Sequence, residues 1–283
     1  MSSRTKAELF LLSITLIWGS TFATSKYLLS SISPFFYIGI RFALAALILS
    51  LLFHGRVRSM TKNSWRKGAI LGSLLFLGFA LQTVGLQYTG ASKSAFITGM
   101  MVVFTPICQL IIERRPPKIG NVIGIVLVTF GLYLLTSPAG SEFNLGDGLN
   151  LVCAVVFALY IVYLDVYSKG EDHVQLTLSQ FLVCTLLGLG AAPFVESITF
   201  VPSTGAIAAL LYLTIFATVI AITVQVRFQK DTTPTRSAVI FSIEPVLAAW
   251  FAFLLLGELL GPMGLVGGGM IVMGVLVSEL SPG

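Results

Sequence analysis

Residues 8–29 read ELFLLSITLIWGSTFATSKYLL, a stretch with one acid at its start and one base, Lys26, near its end. At 1.5 Å of rise per residue, a helix of this length crosses the roughly 30 Å hydrocarbon core of a bilayer. The stretch is longer than the apolar core of a signal peptide, and no soluble domain follows it, so a retained first helix is expected. Comparable stretches recur along the chain. They are expected as helices at 34–53, 66–87, 92–113 and 119–136, then at 148–167, 174–195, 204–228, 235–257 and 262–280.

The composition agrees. Of the 283 residues 56% are hydrophobic and 10% charged, with a mean hydropathy of +0.94. A soluble domain carries about 25% charged residues, so lipid must cover most of this chain's perimeter. Strand-like alternation of apolar and polar residues is missing, so a β-barrel is not expected. The expectation is an all-α membrane protein of about ten transmembrane helices. Repeats at 1–137 and 148–283 would be joined by a linker at 138–147, within the Gly-, Ser- and Pro-containing stretch 137–147.

Charge fixes the threading. With the N-terminus in the cytoplasm, fourteen of the 17 Lys and Arg fall in cytoplasmic segments, among them the clusters Arg56–Lys67, Arg114–Lys118 and Arg227–Arg236. The opposite side holds only Lys93, while Lys26 and Arg41 lie within helices. One missed helix would scatter that distribution, so the positive-inside rule supports ten crossings and two cytoplasmic termini. The same asymmetry explains the net charge of +5 without a nucleic-acid partner.

Displacing the sequence by 143 residues lays Thr89, Ser92, Lys93, Ser94 and Ala95 on Thr232, Thr235, Arg236, Ser237 and Ala238, and Gly124 and Gly131 on Gly267 and Gly274. Five helices per repeat is an odd number, so the second half enters the membrane from the other side. Such inverted repeats are typical of secondary transporters, where rocking one half against the other exposes a central site to each face in turn.

Ionisable groups in hydrocarbon cost about 2.5–3.5 kcal/mol each, which singles out three residues. Glu244 lies near the middle of the ninth helix and precedes Pro245, whose missing donor frees backbone carbonyls. It is either a carboxylate for a substrate ammonium or a coupling proton, or a hydrogen-bonded acid that stabilises the kink. Arg41 is a partner for a carboxylate, the substrate's or Glu244's, or a structural charge. Lys26 is a substrate ligand or a cation snorkelling to the interface. Trp18 and Thr21 in the first helix, with Gln82, Tyr160 and Tyr163, are candidate cavity residues, with ordinary packing the alternative. Pro106 is a second candidate helix break. Glycines four apart, at 68 and 72, 120 and 124, and 264 and 268, suit close internal packing or, alternatively, a dimer face. Cys108, Cys153 and Cys184 are far apart and odd in number, and His54 and His173 fall in loops, so neither a disulfide framework nor a metal site is expected. Phosphate-loop and hydrolase motifs are missing, which speaks against an ATP-driven engine and against an enzyme.

Several strings occur in a telling order: Trp18-Gly19-Ser20-Thr21-Phe22, Arg41-Phe42, Ser94-Ala95-Phe96-Ile97-Thr98-Gly99, Gly124…Gly131, Ser242-Ile243-Glu244-Pro245, Leu254-Leu255-Leu256-Gly257-Glu258 and Gly267…Gly274. In this arrangement the chain resembles the drug/metabolite transporter superfamily, specifically its EamA family. The resemblance implies an inner-membrane carrier, with a central cavity lined from both halves and no cofactor. It implies export of small metabolites, amino acids or related amphipathic compounds, by alternating access; an importer or exchanger of organic acids or nucleotide sugars is the alternative. Expected partners are a small-molecule substrate and lipid, with a proton as candidate coupling ion, in a monomer or homodimer. One departure stands out: Met101-Val102 occupies the first-half position of Glu244-Pro245.

The threading is testable. Single cysteines introduced into 54–65 and into 137–147 are expected to react with an impermeant thiol reagent from opposite faces of the membrane. Reaction from one common face would overturn the inverted arrangement.

Overall fold

A computed structural model of the chain describes residues 2–136, 143–257 and 261–280. The elements are α1 (Ser3–Leu28), α2 (Pro34–Leu52), the short α3 (His54–Arg58), α4 (Lys62–Tyr88), α5 (Ala91–Gly99), α6 (Met101–Glu113), α7 (Ile119–Thr136), α8 (Leu145–Ser168), α9 (His173–Val195) and α10 (Thr204–Tyr212). A π-helical segment, Leu213–Ile220, joins α10 to α11 (Ala221–Phe228), and α12 (Pro234–Phe241), α13 (Glu244–Leu256) and α14 (Pro262–Leu280) complete the bundle. Among the described residues, eight units are long and apolar enough to cross a membrane, and α7 and α14 supply two shorter apolar helices. The fold is the expected one: about ten spans in two inverted sets of five. Residues 138–142 of the expected linker, and Glu258, lie outside the described residues.

Several helices start earlier than hydropathy suggests, because polar caps satisfy their first amides. The Ser2 side chain accepts from Thr5 N and opens α1 at Ser3. Thr61 does the same for Ser64 N and opens α4 at Lys62 instead of 66. Asn144 and Asp147 form a reciprocal capping box that turns 145–147, expected as linker, into the first turn of α8. The connections then tie the two ends of the bundle. At one end Arg56 pairs with Asp172 at 2.9 Å and Lys67 with Glu171 at 2.8 Å. At the other, Ser33 N donates to Thr199 O, Val201 N to Ser31 O, and the Glu196 carboxylate accepts from the free amides of Phe35 and Phe36 at the start of α2.

The two halves interlock instead of standing side by side. The most extensive helix contacts run between them: α7 along α14, α4 against α8 and α9, α2 against α9, and α1 against α13. Rocking intact halves, the motion expected from sequence, would have to rearrange this packing. Glycine makes the closest approaches. A β-carbon on Gly124 would lie 2.7 Å from Gly274 O, one on Gly131 2.6 Å from Gly267 O, and one on Gly72 2.9 Å from the Gln180 Cα. Helices in lipid gain nothing from excluding water, so contact distance decides how well they hold together.

Gly131→Val is therefore expected to lower the melting temperature of the detergent-solubilised protein, by the roughly 1–3 kcal/mol that overpacking costs. Gly269→Ala should be neutral, since nothing stands within 4 Å of its added carbon. Equal melting temperatures for both variants would contradict the glycine seam.

Candidate functional site

The fourth span of each half is broken. α5 ends at Gly99 and α6 begins at Met101; α12 ends at Phe241 and α13 begins at Glu244. The capping residues of the two second segments, Met100 and Ile243, are equivalent under the 143-residue displacement. Pro245 sits in the first turn of α13, where a missing donor costs nothing. Pro106 does not mark the first-half break: it stands inside α6, six residues beyond Met100. The breaks meet at the centre of the bundle, where a β-carbon on Gly99 would lie 2.8 Å from Pro245 Cγ. Gly19 lets α1 press against α13 at Leu247, which carries Trp18 and Thr21 up to the break.

Around this junction lies a cavity of about 70 Å³. It is lined by Trp18 and Thr21 from α1, Arg41 from α2, Leu75, Phe79 and Gln82 from α4, Thr98 and Met101 beside the first break, Phe157, Tyr160 and Ile161 from α8, Ile222 and Gln225 from α11, and Phe241 and Glu244 beside the second break. At roughly 10–15 Å³ of such space per water, it admits a few waters and no metabolite.

The lining follows the repeat. Trp18 and Ile161, Phe79 and Ile222, Gln82 and Gln225, Thr98 and Phe241, and Met101 and Glu244 are each 143 residues apart, and every one of them faces the cavity. The cavity therefore lies on the pseudo-twofold axis. Gln225 escaped the reading of the sequence, although displacing Gln82 by the repeat length leads straight to it.

The sequence-derived candidates divide. Glu244, Arg41, Trp18, Thr21, Gln82 and Tyr160 converge on the cavity. Lys26 does not line it; its ammonium donates to Leu86 O and Thr89 O, both at 2.7 Å, and so caps the C-terminal end of α4. Tyr163 packs against Tyr167, the tilted rings 5.5 Å apart, and is not part of the lining. Within the cavity, Trp18 Nε1 donates to Ala217 O at 3.1 Å, a carbonyl of the π-helical segment, and Tyr160 donates to Gln180 Oε1 at 2.8 Å. Arg41 is 2% exposed. Its Nε donates to Thr218 Oγ1 at 2.6 Å and its Nη1 to the Tyr37 hydroxyl at 2.8 Å, with the Phe79 ring 5.0 Å from the guanidinium carbon. No ion pair joins Arg41 to Glu244, and the Glu244 carboxyl has no hydrogen-bond partner among the described residues.

A broken pair of helices around a largely apolar cavity that carries Arg41, Glu244, Gln82 and Gln225, within a bundle of membrane-spanning helices, defines a class, that of membrane transporters. The chain matches the EamA-like transporter family over residues 5–137 and again over 144–280, and it belongs to that family. An uncharacterised transporter of Archaeoglobus fulgidus is 34% identical over 279 residues, covering 98% of this chain and 87% of its own. A transporter of Chlamydia muridarum named for S-adenosylmethionine and S-adenosylhomocysteine is 24% identical, covering 91% of this chain and 86% of its own. A solved crystal structure superposes with a TM-score of 0.82 at 17% identity, covering 98% of this chain and 97% of the other, and so shares the fold.

A carboxylate held in the interior without a partner destabilises the fold that contains it, and such groups are retained for function. Glu244→Gln is expected to raise the melting temperature of the ligand-free protein in detergent by about 2–4 °C, the shift that roughly 1 kcal/mol produces in a chain of this size. A fall would show that the carboxyl is satisfied by the fold.

Proposed function

We propose that the chain is an alternating-access exporter of small zwitterionic metabolites, foremost amino acids. One observation carries this reading: two opposite charges line one cavity without pairing. Arg41 spends Nε and Nη1 on Thr218 and Tyr37, which leaves Nη2 to receive a ligand. Glu244 stands unpartnered in the same lining. An α-amino acid brings the complementary set, an ammonium for Glu244 and a carboxylate for Arg41, and its binding replaces the lost hydration of both side chains. The same carboxylate is the group that would carry a coupling proton. A cytoplasmic location for both termini, in a cell inner membrane, is supported by the one-sided distribution of Lys and Arg. Export as the direction rests on the family resemblance.

The competing substrates fit less well. A nucleotide sugar presents a diphosphate, yet the lining holds one cation; a dicarboxylate would meet Glu244 as a like charge. A second reading has one specific support. S-adenosylmethionine, which names the Chlamydia muridarum relative, contains an amino-acid head group and a sulfonium. Trp18 and Phe241 add aromatic rings to the lining that holds Glu244, suited to such a cation.

Purified protein in liposomes is expected to exchange a radiolabelled amino acid, with unlabelled S-adenosylmethionine tested as competitor. Glu244→Gln and Arg41→Gln should each lower the exchange by at least about tenfold, since each strands one charge of the bound zwitterion. No exchange across a broad amino-acid panel would overturn the substrate class. Competition confined to S-adenosylmethionine would select the second reading.

A further inference from the structure

Two ion pairs occupy equivalent places at the two ends of the bundle. Lys93 Nζ meets Asp147 Oδ2 at 2.7 Å, and Asp147 is fully buried. Arg236 Nη1 meets Glu8 Oε1 at 3.0 Å, with side chains 4% and 13% exposed. Lys93 and Arg236 are 143 residues apart. Each pair also joins one half to the other, linking the start of α5 to the start of α8 and the start of α12 to the start of α1. Their positions along α1 separate them. Lys26 bonds the Thr89 carbonyl, and the Thr89 hydroxyl donates to Asp147. The Lys93–Asp147 pair thus lies near the Lys26 end of α1 and the other pair at Glu8, about 27 Å apart for eighteen residues of helix. Trp18 and Thr21, which line the cavity, fall between them.

Each basic residue rides on the short half-helix that precedes a break, seven residues before Met100 in one case and before Ile243 in the other. A half-helix ending in a break can swing without unwinding a continuous helix, because the hydrogen bonds that would resist bending are already interrupted there. Polar contacts reinforce each pair: Thr89 and the Asn144 amide on Asp147, and Thr232 on Glu8 with the Ser278 carbonyl on Arg236.

We propose that Lys93–Asp147 and Arg236–Glu8 are paired latches, one at each mouth, and that alternating access opens one while the other stays closed. Both are closed here, in agreement with a cavity too small for a metabolite. The inference rests on the transporter reading but not on the identity of the substrate. None of the four latch residues lines the cavity, so their loss shifts the balance between conformations and not the binding chemistry.

The test uses the full chain with Cys108, Cys153 and Cys184 replaced by Ala and with Thr21→Cys as reporter, in vesicles of either orientation. Lys93→Gln is expected to raise labelling by a membrane-impermeant maleimide about fivefold, and only from the face that carries Lys93; Arg236→Gln should do so only from the opposite face. Increases from one common face, or no increase in variants that melt as the parent does, would overturn the latches. A variant that melts early and labels from both faces is decided by Lys93→Arg, which keeps the charge opposite Asp147 and leaves the cap of α8 intact. Parental labelling in Lys93→Arg supports the latch, and labelling as high as in Lys93→Gln overturns it. Because the reporter needs no substrate, a failure of amino-acid exchange leaves this result intact and is read separately.

Discussion

Hydrocarbon offers a backbone amide no water to bond, so every N–H and C=O at membrane depth has to find its partner within the protein. That constraint dictates the run of long helices, and it also dictates where a helix is allowed to stop. The interruptions within spans, at Met100, at Ser242–Ile243 and along the π-helical stretch Leu213–Ile220, all gather around the central cavity. There the freed groups are taken up by side chains. The indole of Trp18 binds the Ala217 carbonyl, and Thr218, whose hydroxyl reaches back to Leu213 O, receives Arg41. Cavity and irregular backbone are thus one feature: the broken helices supply polar surface, and the polar surface makes the breaks tolerable.

The second organising element is close approach. α7 and α14 touch through Gly124, Gly131, Gly267 and Gly274, which are related in pairs by the repeat. Elsewhere the major contacts run from one half into the other. Movement as two rigid lobes would disturb the largest helix contacts of a carrier assembled this way. Its softer places are the junctions between half-helices, and the cavity lies against both of them.

Much of this was legible in the sequence because lipid leaves a coarse and redundant signal. Ten apolar stretches, a one-sided distribution of basic residues and a repeat length of 143 each pointed to the same inverted bundle. The cavity was legible wherever an expensive residue advertised itself, as Glu244 and Arg41 did. Lys26 was misleading for the same reason: a buried ammonium is as well used on carbonyls at the end of α4 as on a ligand. Tyr163 was indistinguishable from Tyr160, since helical periodicity alone does not say which neighbouring helix a tyrosine meets. Pro106 carried the strongest local mark of a break, yet the break falls at Met100, opposite Pro245 in the partner repeat. Position in the repeat outweighed local chemistry there. Helix starts were missed at Ser3, Lys62 and Leu145 because hydropathy does not register a cap made by one hydroxyl or amide.

The exchange of Met101 for Glu244 between positions related by the repeat has a thermodynamic meaning. Were the repeats identical, turning the molecule over would convert its inward-open form into its outward-open form, and the two would be equal in energy by symmetry. A single acid on one side of the axis lifts that degeneracy. In an alternating carrier, that acid would set the two forms at different energies, according to how well each hydrates one carboxyl group.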